Sequence, residues 1–261
     1  MSEISTIAGV LARLEAILAD AVSNGKRTGY FAALYYKMTA AVKAGIDGGM
    51  FEDGPRMERL DVVFASRYLD AHDAWEKGQP LTDSWRVAFE ACGRRSPIIL
   101  QQLLLGINAH INLDLGIAAV EVMKGQPLDG IHIDFNSINS VIGSLTDQVI
   151  REIDHMSPLL SLLGLHANNT NSFLVQFSVG NARDGAWCFA EELSKLSGDG
   201  YAACISERDG DIAKLATALV TVSGPLRFTL WVIRLFEWGN PKRVIGELRG
   251  RAKRFFKAKE L

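Results

Sequence analysis

The sequence predicts an all-α protein, a multihelical single domain packed around one buried central helix. Three observations carry that expectation. Apolar residues recur at spacings of three and four along most of the 261 residues, and no segment keeps the strict alternation of a strand. The stretch from Leu103 to Glu121 is apolar on nearly every side, which places it inside a bundle rather than on its surface. With 48% hydrophobic and 22% charged residues, a chain of this length can bury one sizeable core.

The first helix is expected from about Ser5 to Val22, with Ile7, Leu11, Leu14 and Leu18 on one stripe and Asn24 and Gly25 ending it. A second runs from Thr28 to Ala44, with Phe31, Tyr35 and Thr39 four apart, until GIDGG at 45 to 49 breaks it. The third, from about Arg56 to Glu76, sets Asp61, Ala65, Tyr68 and His72 on one face beside Phe64 and Trp75. Thr82 or Asp83 can cap a short helix carrying Trp85 and Phe89. Pro97 then opens the central helix, which runs to about Lys124.

After the GQPLDG loop, Ile138, Val141, Ile142, Leu145, Val149 and Ile153 mark a helix of residues 134 to 156. HANNTN at 166 to 171 reads as a polar loop. Further helices carry Trp187, Phe189 and Leu193, then about Asp211 to Val222, with turn-like SGDG and RDGD between them. LRFTLWVIRLFEW is too short and too charged to cross a bilayer and reads as a core helix. Residues 241–261 form a basic C-terminal helix or tail with Phe255 and Phe256. The helices of 28 to 44, 56 to 76 and 134 to 156 are expected to surround the central one.

Several function classes lose ground on composition. A net charge of -2 gives no global attraction to nucleic acid or anionic membrane, so any such contact is local. Cys92, Cys188 and Cys204 are too widely spaced for C-x-x-C chemistry and are expected to be reduced core residues. The N-terminus lacks the basic start and continuous apolar run of a signal peptide, and a cytoplasmic location is the expectation. Phosphate-binding glycine loops, the G-x-S-x-G elbow and H-E-x-x-H are absent.

The central helix nevertheless carries His110, Asp114 and Glu121 on one side, and Asn108 and Asn112 nearly opposite. Ionisable groups on so apolar a helix must be paired, hydrogen-bonded or metal-bound. His110 and Asp114, one turn apart, can converge on a divalent metal, zinc or another first-row ion, with His72 and His132 as further candidate ligands and Asp61 and Asp134 as candidate catalytic carboxylates. The alternative is a buried polar network that fixes helix register. His132 and Asp134 in HIDF face one point if extended, whereas Asp134 can equally cap the next helix. Asn108, Asn112, Asn139 and Tyr68 can line a polar pocket or brace neighbouring helices.

FAALYYKMT, FEDGPRMERLDVVFASRYLDA, Trp85, LLLGINAHINLDL and HIDFNSIN, in that order, resemble an uncharacterised bacterial family of about this length, a domain of unknown function. The resemblance runs from about Tyr30 to Asp154 and implies a helical single domain without assigning a role. The segment LLGINAHINLD is also similar to helical zinc phospholipases and nucleases, in which a histidine and an aspartate one turn apart on a buried helix bind metal. Those enzymes have a histidine near the mature N-terminus, whereas here none precedes His72. Two expectations therefore stand. One is a metal-dependent hydrolase with its site on the central helix. The other is a non-catalytic helical protein that holds a small apolar molecule between helices, oriented by His110 and the asparagines.

Overall fold

A computed structural model describes residues 4–166 and 178–250. Among the described residues there are eleven α-helices and no strand, arranged as a single all-α domain. They are α1 (Ile7–Asn24), α2 (Gly29–Asp47), α3 (Gly54–Glu76), α4 (Asp83–Gly93), α5 (Ile99–Ala109), α6 (Gly116–Val122), α7 (His132–Met156), α8 (Val179–Leu193), α9 (Gly198–Val220), α10 (Gly224–Phe236) and α11 (Pro241–Gly250). Beyond His166, the expected polar loop at 166 to 171 lies outside the described residues, as do positions 251–261 of the basic tail.

Some helix ends follow the local code. The Thr6 hydroxyl accepts from the Gly9 N–H at 3.1 Å to cap α1, and Gly25, at φ 66°, closes that helix by donating to the Ala21 carbonyl. Asp53 accepts from the Arg56 N–H at 2.9 Å to cap α3. Other ends are capped from far along the chain. Asp209 on α9 accepts from the N–H groups of Asp83 (2.7 Å) and Ser84 (3.0 Å) at the start of α4, and Thr82 makes no side-chain cap. Glu237 accepts from the Ile99 N–H at 2.8 Å at the start of α5.

This remote capping corrects the expectation of a turn at RDGD. Arg208, Asp209 and Gly210 lie inside α9, which starts thirteen residues before Asp211. Their charged side chains serve other helices: Asp209 caps α4, and Arg208 donates through Nε to the Asn112 carbonyl at 3.0 Å. Likewise α2 continues through Gly45 to Asp47, and the break falls at Gly48 and Gly49.

The central element is not one α-helix. Between α5 and α6, residues His110–Leu115 form a π-helical segment, so an extra residue enters the turn that carries His110 and Asp114. The Asn112 carbonyl in this widened turn finds an outside donor in Arg208. Ile99–Val122 as a whole is long and apolar enough to cross a membrane, but 83% of its most apolar window is buried inside the bundle. It is packed by α2, α3, α4, α8 and α9, while α7, expected as a principal neighbour, lies mainly against α2.

Two glycines allow these close approaches. A Cβ on Gly106 would meet the Phe31 ring at 2.4 Å, and one on Gly116 would lie 2.7 Å from Phe189 and 2.9 Å from the Ala186 carbonyl of α8. A backbone carbonyl cannot swing aside as a side chain can. Gly116→Ala should therefore lose more from overpacking, about 1–3 kcal/mol, than the ~1 kcal/mol it gains in helix propensity. Urea denaturation should show a net loss of up to about 2 kcal/mol, where an isolated helix would show a gain.

Candidate functional site

His110 and Asp114 meet as their spacing predicts, and they do so deep in the core. His110 Nδ1 lies 3.2 Å from Asp114 Oδ2, which also accepts from the Trp85 indole N–H at 2.9 Å. Asp114 Oδ1 accepts from Arg67 Nε at 2.9 Å. Both carboxylate oxygens are thus engaged, and Arg67 supplies the compensating charge, with Glu121 at 3.8 Å from its Nη1. Burial lowers the His110 pKa against the pull of Asp114, so the imidazole is neutral, with its Nδ1 proton directed to the carboxylate.

That assignment leaves His110 Nε2 as a lone-pair acceptor. It is buried and has no hydrogen-bond partner. The ring is held flat against Phe64, centroids 3.6 Å apart at 7°, and edge-on to Tyr35 at 4.5 Å. The imidazole faces a cavity of about 120 Å³ between α2, α3, the central segment, α7 and α8. Phe31, Leu34, Tyr35, Met38, Thr39 and Val42 line it from α2, at the i, i+3, i+4 spacing of a single helix face. Ile107, Ile111 and Leu115 line it from the central segment, Ile138 and Ile142 from α7.

Polar groups on the cavity wall are few and incompletely paired. Asp61 lies on it with Oδ2 buried and unpartnered. Burial, and secondarily the charge of Glu58, pushes its pKa up to about 7. Tyr35, whose hydroxyl also lacks a partner, is raised well above the usual phenol range by burial and then by Asp61. Arg183 enters from α8: its Nε donates to Asn139 Oδ1 at 2.6 Å, its Nη2 donates to the Phe135 carbonyl, and its guanidinium lies 4.6 Å from the Phe135 ring centroid. These partners are neutral, and burial lowers the Arg183 pKa to about 10.

The remaining sequence candidates take other places. Asp134 is not free for catalysis and does not cap α7. It is fully buried and ties down the start of α3, accepting from the Glu52 and Asp53 N–H groups at 2.7 and 3.2 Å and from Arg56 Nη2 at 2.7 Å. His132 opens α7 rather than an extended loop, so it points away from Asp134; it is exposed, near Asn136 and the Trp187 ring. His72 is buried beside Tyr68 and Phe89, nearer α4 than the cavity. Tyr68 packs in the core against Phe31 and Tyr35 and does not line the cavity.

The asparagines divide. Asn108 donates to the Ile212 carbonyl at 3.0 Å and accepts from Asn112 at 2.9 Å, which braces the central segment to α9 on the side away from His110. Asn139 holds Arg183. Among the described residues no three metal-ligating side chains converge. Sequence reasoning missed Arg183, although a signal existed: it shares a face with Ala186 and Ala190, a cation on an apolar stripe.

Fold and site together define a class: an all-α protein with an apolar interhelical cavity, lined by one neutral histidine and one buried aspartate that each carry an unpaired atom. The chain belongs to DUF5995, a family of unknown function, whose model matches residues 7–222. No curated protein and no solved structure gives a significant match.

Two measurements separate support from site. Asp114→Asn would leave Arg67 only Glu121 at 3.8 Å as a counter-charge and set an amide NH2 against either the indole or the guanidinium donor, so it should destabilise by roughly 3 kcal/mol in chemical denaturation. Asp61 behaves oppositely. Its folded-state pKa of about 7 lies above the ordinary 3.8, so the folded protein binds the proton more tightly than the unfolded chain does. Its contribution is full below pH about 4 and is lost as pH rises through about 7. Asp61→Asn should therefore be more stable than the wild type at pH 8, by up to about 4 kcal/mol, and close to it at pH 4.

Proposed function

We propose that this protein binds a small molecule with an apolar body and a neutral hydrogen-bond-donating end in the cavity beside His110. One observation carries the reading: an almost wholly apolar cavity of about 120 Å³ is lined by a neutral, rigidly held imidazole whose Nε2 has no hydrogen-bond partner. Leaving such a group unsatisfied costs about 1–3 kcal/mol, which a donor from a ligand would recover. The size suits a body of about one six-membered ring, since an engineered cavity of ~150 Å³ holds benzene.

Charge narrows the choice. Arg183 on the wall disfavours an ammonium end, and the elevated pKa of Asp61 makes that carboxyl able to donate as well as accept near neutral pH. The hydrolase reading asks for a carboxylate free to bind an ion, whereas Asp114 is spent on Arg67, Trp85 and His110. The cavity reading needs no rearrangement of that network.

Phenol, benzene and benzylamine test it. Thermal shift and calorimetry should rank phenol about tenfold above benzene, with benzylamine weakest. His110→Phe should erase the preference for phenol over benzene, and Ile142→Trp should fill the cavity and abolish binding of both while the fold melts cooperatively. A wild-type protein that binds none of the three at millimolar concentration would overturn the proposal.

A further inference from the structure

α10 presents two opposite faces. Leu226, Leu230 and Ile233 are buried in the domain, while Phe228, Trp231 and Leu235 lie on the other side at helical spacing and are 65%, 56% and 60% exposed, with Phe236 beside them at 61%. The Phe228 and Trp231 rings are 5.7 Å apart, so these two form one aromatic surface. Four large side chains in one exposed apolar strip exceed the scattered single residues of an ordinary surface.

The charge of the sequence that carries this patch is unlike that of the rest of the chain. Residues 224–261 hold ten Lys and Arg against three Asp and Glu, whereas the preceding 223 residues carry nine more acidic than basic groups. Arg227 lies within the patch helix; Lys242, Arg243 and Arg249 lie exposed on α11; the sequence from 251 to 259 adds Arg251, Lys253, Arg254, Lys257 and Lys259. The family model ends at residue 222, just before α10. An aromatic strip on a helix that lies flat on the domain, with cations clustered in the adjoining sequence, has the chemistry of a membrane-interface element: rings enter the headgroup boundary and basic residues meet anionic lipid. The helix is 13 residues long and half buried in the domain, too short to cross a bilayer by itself.

We propose that the exposed face of α10, with the basic segment after it, docks this protein on anionic membrane surfaces. Flotation of the full-length protein with phosphatidylcholine vesicles, with and without about 30% phosphatidylglycerol, tests this directly. Binding should be at least about tenfold tighter to the anionic vesicles and fall steeply with added salt. Trp231→Asp with Phe228→Asp should abolish it, with an unchanged circular dichroism melt showing that the fold is intact. Truncation after Gly250 should weaken binding at least about tenfold while leaving the aromatic face in place.

Equal binding to both vesicle types would overturn the electrostatic part. Failure to float, accompanied by a concentration-dependent dimer that the double variant dissolves, would assign the face to a second copy of the chain. Failure to float, with DNA or RNA retained through the basic segment, would assign that segment to nucleic acid. The last two outcomes reject the membrane, and none of the three bears on the cavity beside His110.

Discussion

Asp114 is the constraint on which the arrangement depends. A carboxylate this deeply buried is tolerable only when its lone pairs are met, and three helical segments converge to meet them: Arg67 from α3, Trp85 from α4 and His110 from its own turn. The consequence reaches past packing. Because Asp114 accepts from the Nδ1–H, the imidazole has one tautomer, and its second nitrogen is left without a partner on a ring that lines the cavity. Phe64 and Tyr35 then fix the ring plane from the two helices opposite. A structural network thus shapes a site, and the same residues serve both.

Much of this was legible in the sequence because helical periodicity records faces well. The stripe of Phe31, Tyr35 and Thr39 does face one neighbour, His110 and Asp114 do meet, and the Asn24–Gly25 end of α1 falls where it is read. Periodicity does not record the partner. Asp134 looks like a cap for its own helix, but its acceptors serve the start of α3, 78 residues earlier at Arg56. RDGD has the composition of a turn, and tertiary bonds to Arg208 and Asp209 override that local preference. The π-helical segment is invisible for a related reason: one extra residue in a turn leaves the i, i+4 pairs of that turn in place while rotating the faces of every later residue.

Burial of charge recurs as a means of joining elements distant in sequence. Lys37 of α2 and Glu152 of α7 pair with side chains almost fully buried, and Gln148 donates to the second carboxylate oxygen at 2.8 Å. Breaking such a pair on one side costs far more than the pair contributes relative to an apolar equivalent, so these contacts specify arrangement more than they stabilise it. Asp61 and Arg183 do not share this pairing. They line one cavity, Asp61 with a buried oxygen that has no partner and Arg183 with neutral partners, and burial disfavours the charge on each.

Glu237, which caps α5, lies fifteen residues beyond the end of the family match. It also accepts from the Ser157 hydroxyl at 2.5 Å, the Trp238 N–H donates to the Met156 carbonyl at 3.0 Å, and Val244, Ile245 and Leu248 of α11 are fully buried, Ile245 beside Gly29 of α2. A limit drawn by sequence kinship is therefore not a limit of cooperativity. The segment after α10 holds the first turn of the element that bears His110, so a chain cut at the end of the family match would leave the Ile99 N–H without this acceptor.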